Sequence, residues 1–548
     1  MVILIIHYIC GRILYFRQKM NKIKTYYINH PLKSILILAF AIRLIAAIFS
    51  QGYGFSDDHF LVIEPAQAWV NDNSWNDWMP KIQEQVYPNR KPVPEGHSLV
   101  YPGIHYVLFS AMEFVGIYNP KAKMFLIRLI HALFSLLVVF YGYKIAKHYT
   151  NDKIAKQVGL ILSLLWVMPI LSVHNLVEMV CVPFIMWGLW LLVKQEGAKY
   201  AFKYYFLAGL IITIAVSIRF QTSIIVGVAG LVLLFKKQWK AAIAFGVGAI
   251  LSFAFLQSII DVFVWGRPFA EFMEYVRYNI ENKTAYGHNI WYMYTTVIGG
   301  LVIPPLSLFL FFGWFNIFRK YPLLFWPSFL FFAFHNYFPN KQERFILPIL
   351  PLFILAGVIG WWTYMDKSAF WGRHKKLFKP VMVFFWTINF IALPVFSTTY
   401  SKRSRCETMV YLGKQTDANT ILVEESIRDG VSILPMFYGV KEMQFYQLGK
   451  YSLNDSVKYS NRKELINFAT GIKTPQEIEH NNWPKPDYIV FINENSLQER
   501  VDKIKKYYPD IEYVTTINPS YIDLLMKKIT PSNNNQLVFI YKLNKVPN

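Results

Sequence analysis

The chain is 548 residues long, 54% hydrophobic and only 16% charged, with a formal net charge of +22. That balance excludes an ordinary soluble enzyme of this length and indicates a polytopic membrane protein. Its Lys and Arg lie in short clusters between apolar runs and form no continuous basic face, so nucleic acid is not the expected partner, and Cys10, Cys181 and Cys406 are too scattered for a disulfide framework or a zinc site.

Residues 1–16 are apolar but short for a crossing, Met20 opens a second plausible start, and a secretory signal's basic start and cleavage site are lacking. Residues 1–33 are expected to be a cytoplasmic segment. Apolar runs follow at 35–50, 124–144, 157–173, 177–193, 205–217, 222–235, 241–264, 292–315, 321–334, 345–365 and 381–396, which predicts about eleven crossings. A further run, 99–117, is interrupted by Pro102, His105 and Glu113. The Lys and Arg clusters fall in alternate connections only if that run does not cross, so it is expected to be interfacial or re-entrant. Outer loops 51–123 and 265–291, the turn at 335–344 and everything after residue 397 then share one face, opposite the cytoplasm.

From residue 401 the chain becomes polar. Short β-rich runs at 421–424, 488–492, 511–517 and 537–541 alternate with helical stretches such as 496–508, predicting a C-terminal α/β domain over 401–548 that acts as a lid or docking module. The membrane part, 34–400, is expected to carry the chemistry.

Two polar clusters border its apolar runs. The first, SDDHFLVIEPAQAW, offers Asp57, Asp58 and Glu64 and is followed by Trp69, Trp75 and Trp78, aromatic residues suited to a headgroup boundary. A carboxylate there can be a general base, or simply a solvated loop acid. The second, NYFPNKQER, supplies Lys341, Glu343 and Arg344 close to His335. Ammonium and guanidinium groups can hold a departing phosphate, whereas helix-end snorkelling explains only Arg344. Arg219 is a third phosphate partner or an interfacial anchor. Asn175 and Glu178, spaced i, i+3, suggest one helical face, as a polar cap or as substrate ligands. Arg43, inside the first run, calls for an inward partner.

In order and context these clusters resemble glycosyltransferase family 22, the polyprenyl- or dolichyl-phosphate-mannose-dependent mannosyltransferases. S-D-D-H-F-L-V-I-E-P-A is similar to the family's P-D-E-x-F-Q-x-x-E-x-A, and H-S-L-V-Y-P from His97 resembles R-S-x-x-x-P with His97 in place of Arg. N-L-V-E from Asn175 resembles N-S-x-E, and R-F-Q-T from Arg219 resembles R-P-T. The loop from Asp261 through Gly266, Asn279, Tyr286, Gly287, Trp291 and Tyr292 is similar to D-x-x-x-Y-G, F-x-x-N and Y-G-x-x-x-W-Y. N-K-Q-E-R-F-I-L-P resembles H-K-E-x-R-F-x-x-P, with Asn340 for His and Gln342 for Glu.

The resemblance implies a mainly α GT-C membrane fold and an inverting transfer of a sugar, mannose by the family's habit, from a polyprenyl-phosphate-sugar co-substrate to a hydroxyl of a lipid-linked glycan. Asp57 would be the base and Asp58 its partner. Lys341, Arg344, Glu343, Arg219 and His335 would bind the donor phosphate and sugar, while Glu64, Asn175, Glu178, Asn279, Tyr286 and Trp291 would shape the substrate pocket. No cofactor or metal is expected to be obligatory. Alternatives are a GT-C transferase placing another lipid-phosphate sugar on lipid A, polymer or protein, and a lipid or glycan transporter. The Lys-, Asn- and Ile-rich composition favours a bacterial inner membrane, with the site facing the periplasm or outside.

Overall fold

The computed structural model describes residues 25–72, 79–86, 89, 91–197, 199–284, 290–425, 434–449, 483–529 and 537–544. Among them, six helices are long and apolar enough to cross a bilayer: Pro31–Phe49, Pro120–Tyr149, Val177–Lys194, Trp239–Trp265, Glu343–Lys367 and Ala369–Ser397. The other predicted runs form shorter apolar helices, including Phe202–Ile218, Phe220–Phe235 and Pro322–Tyr337. Large apolar side chains such as Ile243, Ile250, Phe263 and Ile391 stand exposed on these elements, a surface suited to hydrocarbon. The protein is a multi-pass membrane protein.

Two runs expected to be continuous are broken. The 292–315 run divides into Met293–Leu301 and Leu306–Asn316, bent by 116°, because Pro304 and Pro305 have no N–H to continue the ladder. The 157–173 run divides into Asp152–Leu164 and Val167–Val173. Asn389, fully buried on Lys379–Ser397, repairs that second break, its Oδ1 accepting from Trp166 N at 2.8 Å and its Nδ2 donating to the Leu164 carbonyl at 2.7 Å. One side-chain amide thus satisfies the freed backbone groups on both sides of the kink, as a low-dielectric interior demands. Arg43 is structural too. Its guanidinium donates to Ser135 Oγ at 3.0 Å and to the Ala39, Leu162 and Ser163 carbonyls at 3.2–3.3 Å.

The tail forms a five-stranded sheet among the described residues: β1 (Thr420–Glu425), β2 (Gln444–Gly449), β3 (Tyr488–Ile492), β4 (Ile511–Ile517) and β5 (Val538–Leu543), in the order β2-β1-β3-β5-β4. β2, β1 and β3 are parallel, and β5 is antiparallel to both β3 and β4. Strand alternation divides the sheet's two faces. Ile421, Val423, Val490 and Ile492 join the core of the membrane body, whereas Leu422, Ile489 and Phe491 pack with Val501 and Ile504 of the helix Leu497–Lys505. The tail is therefore docked by half of its own core.

Several contacts among the described residues fasten it to the first outer loop. Ser401 N donates to the Gln51 carbonyl at 3.0 Å beside Gly52, whose φ is +75° and where a Cβ would lie 1.8 Å from the Ser401 oxygen. Only glycine permits that approach. Lys402 Nζ donates to Ser56 Oγ at 2.8 Å and lies 4.7 Å from the Tyr53 ring centre, and Lys121 pairs with Glu407 at 2.7 Å. Glu64 accepts from Phe437 N with both carboxylate oxygens, at 3.1 and 3.0 Å.

Candidate active site

After the helix Pro31–Phe49 the chain turns at Gly52 and enters a helical stretch, Ser56–Asp58, then a π-turn His59–Ile63 and the helix Glu64–Val70. Asp57 and Asp58 occupy its first turn, where a helix N-terminus favours negative charge. Three breaks in the membrane helices face them. Glu178 lies in the four-residue helix Val177–Val180, Arg219 follows Phe202–Ile218 in extended conformation, and Arg344 lies in the 3-10 turn Glu343–Ile349. Charged side chains at membrane depth are tolerated where they pair with one another, and these do.

Arg344 is the hub. Its Nη2 bonds Asp57, its Nη1 lies 3.6 Å from Asp58 Oδ1, and its Nε is 2.9 Å from Gln342 Oε1 and 3.9 Å from Glu178 Oε1. Arg219 Nη2 is 3.1 Å from the same Glu178 oxygen, and its guanidinium stacks on Phe345. Asp57, Asp58 and Glu178 thus face two guanidiniums, one positive charge short. Burial first and the Glu178 charge second push the Asp58 carboxyl well above the usual carboxylate range. Asp57, by contrast, is 49% exposed and open to an incoming group.

A cavity of about 50 Å³ opens here, lined by Asp57, Asp58, His97, Tyr101, Arg219 and Arg344. On the other side of Asp58 a larger one of about 230 Å³ is walled by Trp166, Ile170, Leu171 and Phe396, with Arg128 and Asn175 at its polar end. Asp58 therefore stands between a charged cavity and an apolar one. Asp58 Oδ2, Arg219 Nε, Asn175 Oδ1 and His335 Nε2 are buried without a hydrogen-bond partner among the described residues. Polar atoms so left cost free energy unless a further group engages them.

Other predicted site residues are placed differently. Asn175 and Glu178 share no helical face, because the helix begins only at Val177. Asn175 bonds His105 across 2.8 Å toward the apolar cavity, while Glu178 joins the arginines. Glu64 is engaged by Phe437 and by His59 at 2.9 Å, so it fastens the tail. His335 Nδ1 donates to the Phe331 carbonyl at 2.8 Å, and its ring stacks on that of Phe331. Lys341 is buried, which lowers the proton affinity of its amine. Glu343 is exposed, Asn279 bonds the Tyr275 carbonyl of its own helix at 2.8 Å, and Trp291 is 75% exposed. Tyr286 lies outside the described residues. His97, standing where the resembling family has Arg, is held neutral by burial with its pKa near 4, so that cavity wall carries no charge.

Sequence reasoning missed what holds this wall. Ser98 Oγ donates to Gln257 Oε1 at 3.1 Å and Leu99 N donates to Glu271 Oε2 at 3.0 Å. Gln257 Nε2 donates to Asp261 Oδ1 at 3.0 Å and to Glu271 Oε2 at 2.6 Å, while Trp265 Nε1 donates to Glu271 Oε1 at 3.2 Å. Asp261, Glu271 and Gln257 are fully buried. Burial and then the Asp261 charge raise the Glu271 carboxyl to about 8. Gln342 was visible only as a departure from a motif; in place it accepts from Arg344 without adding a further negative charge.

Comparison with known proteins places these residues in context. The profile of the Alg9-like mannosyltransferase family matches residues 34–428. GPI mannosyltransferase 3 of Debaryomyces hansenii is 23% identical over 408 residues, 71% of this chain and 68% of that protein. The human alpha-1,2-mannosyltransferase ALG9 is 27% identical over 146 residues, 23% of this chain and 24% of that protein. In fold the chain is similar to ArnT from Cupriavidus metallidurans bound to undecaprenyl phosphate, with a TM-score of 0.54 at 12% identity, covering 94% of this chain and 98% of ArnT.

Proposed function

The chain belongs to the Alg9-like mannosyltransferase family, and from that premise we propose that it moves mannose from a polyprenyl phosphate to a hydroxyl of a lipid-linked glycan at the outer face of its membrane. The observation that carries this reading is the cluster in which Asp57 and Asp58 meet Arg344, Glu178 and Arg219 beside a cavity. One carboxylate is accessible, Arg344 bonds it and Arg219 lines the same cavity, which is what deprotonating a nucleophile while releasing an anion requires.

In this mechanism the acceptor hydroxyl gives its proton to Asp57 as its oxygen bonds the anomeric carbon. The bond from that carbon to the phosphate oxygen breaks, and its electron pair leaves with the phosphate. Arg219 and Lys341, with Arg344 as it exchanges acid for phosphate, stabilise the departing charge. Asp58 orients the acceptor. The apolar cavity beyond Asp58 suits the first isoprenoid units of the donor. No nucleotide sugar enters the reaction, and metal is not required because the arginines and lysine supply the positive charge. The membrane we assign is a bacterial inner membrane, a choice that rests on composition.

Transfer of labelled mannose from synthetic polyprenyl-phosphate-mannose into lipid-linked glycan tests the reading, with Asp57→Asn compared at matched expression. Transfer should fall by about 10²–10⁴-fold in the variant. Unchanged transfer removes Asp57 as the base, and failure of the unmodified protein to use this donor removes the donor class.

A further inference from the structure

Glu113, which interrupts the 99–117 run, takes no part in the cluster above. It closes a separate polar cleft of about 160 Å³ where the first outer loop meets the tail. Gln67 Nε2 donates to Glu113 Oε1 at 2.9 Å and to Asn71 Oδ1 at 3.0 Å, and its Oε1 accepts from Lys123 Nζ at 2.8 Å. Lys123 Nζ also donates to Glu113 Oε1 at 2.5 Å, although Lys123 is only 3% exposed. Two of these four bonds end on the same oxygen of Glu113. Its Oε2 and the Asn71 amide N–H groups make no side-chain bond among the described residues, and they border the cleft as an acceptor and donors. Opposite them the tail contributes Met436, Phe437, Val440 and Met443 together with Lys441 and Glu442, and the Tyr118 ring also lines the cleft, 60% exposed.

We propose that this cleft is a second glycan-binding site, which holds a part of the acceptor remote from the reacting hydroxyl. The carboxylate, amides and ammonium match a sugar's hydroxyls, and the apolar side and the Tyr118 ring match its C–H face. An ion pair serving only to join two loops would close on itself, whereas this one borders open volume. Gln67 lies ten residues after Asp57 along one helical stretch, about 15 Å at about 1.5 Å per residue, so an extended oligosaccharide reaches both sites. Half of the wall comes from the tail, which therefore takes part in choosing the acceptor. The proposal rests on a glycan being the acceptor.

The test is titration of free α-linked mannopentaose against the full chain in nanodiscs, with cellopentaose as control. Mannopentaose should bind in preference, and Tyr118→Ala or Glu113→Gln should weaken binding by about tenfold or more. Tyr118 is exposed enough that its truncation leaves the fold in place. No binding by the unmodified chain, or equal binding by both variants, overturns the proposal. Binding that depends on Tyr118 without mannose transfer keeps the cleft and discards the donor assignment; transfer without such binding does the reverse.

Discussion

Two buried acidic networks lie on either side of the His97–Leu99 corner, and they behave oppositely. Around Arg344, three carboxylates face two guanidiniums, Asp58 keeps an unbonded oxygen, and a cavity opens between them. Around Gln257, Asp261 and Glu271 share one side-chain amide, no cation joins them among the described residues, and neither acid leaves an unbonded buried oxygen. The difference teaches that acidic residue type alone does not mark chemistry. Counter-charge with unspent bonding capacity next to open volume does; a closed network builds a wall.

The sharpest way to break this comparison is Arg344→Lys, which keeps the charge and removes the planar fork. Transfer should fall by about 10²–10³-fold with little change in melting temperature, and activity within threefold of normal would deny Arg344 its place at the hub. Glu178→Ala comes next, measured by thermal unfolding in detergent. It strips two arginines of a buried partner and should destabilise the protein by about 3–5 kcal/mol. Glu271→Gln probes the other network through pH. A carboxyl ordinarily near 4.5 and raised to about 8 binds a proton in the folded state that the unfolded chain has released. Its contribution to stability is therefore complete below pH 4.5, is lost as pH rises toward 8, and changes no further above. In Glu271→Gln the melting temperature should decline less across that interval than in the unmodified protein; parallel curves would refute the raised Glu271 carboxyl. The smallest effect expected is that of chelation. Treatment with EDTA should leave transfer unchanged.

Much of this was legible along the chain. The apolar runs, the docked α/β tail, and Asp57, Asp58, Arg219, Glu178 and Arg344 as polar residues beside apolar runs all follow from local composition and spacing. Which acid meets which arginine does not, because Asp57 and Arg344 are joined only by folding. Helical spacing misled for Asn175 and Glu178, since periodicity cannot reveal that a helix starts between them. Glu64 sat in the right motif, yet its oxygens belong to Phe437, a partner in the tail that no local pattern announces. The break at Trp166 was hidden because Asn389, the residue that makes it tolerable, lies on a distant helix.

The stitching of the tail to the first outer loop also sets an order in time. Gly52, Ser56 and Glu64 emerge from the ribosome well before Ser401, Lys402 and Phe437, which brace this stretch. At ~5–20 residues per second the interval is roughly 20–75 s. Through that interval a nascent chain already displays its acids at the membrane without the brace that fixes their geometry, and that geometry is set only once the tail has been made.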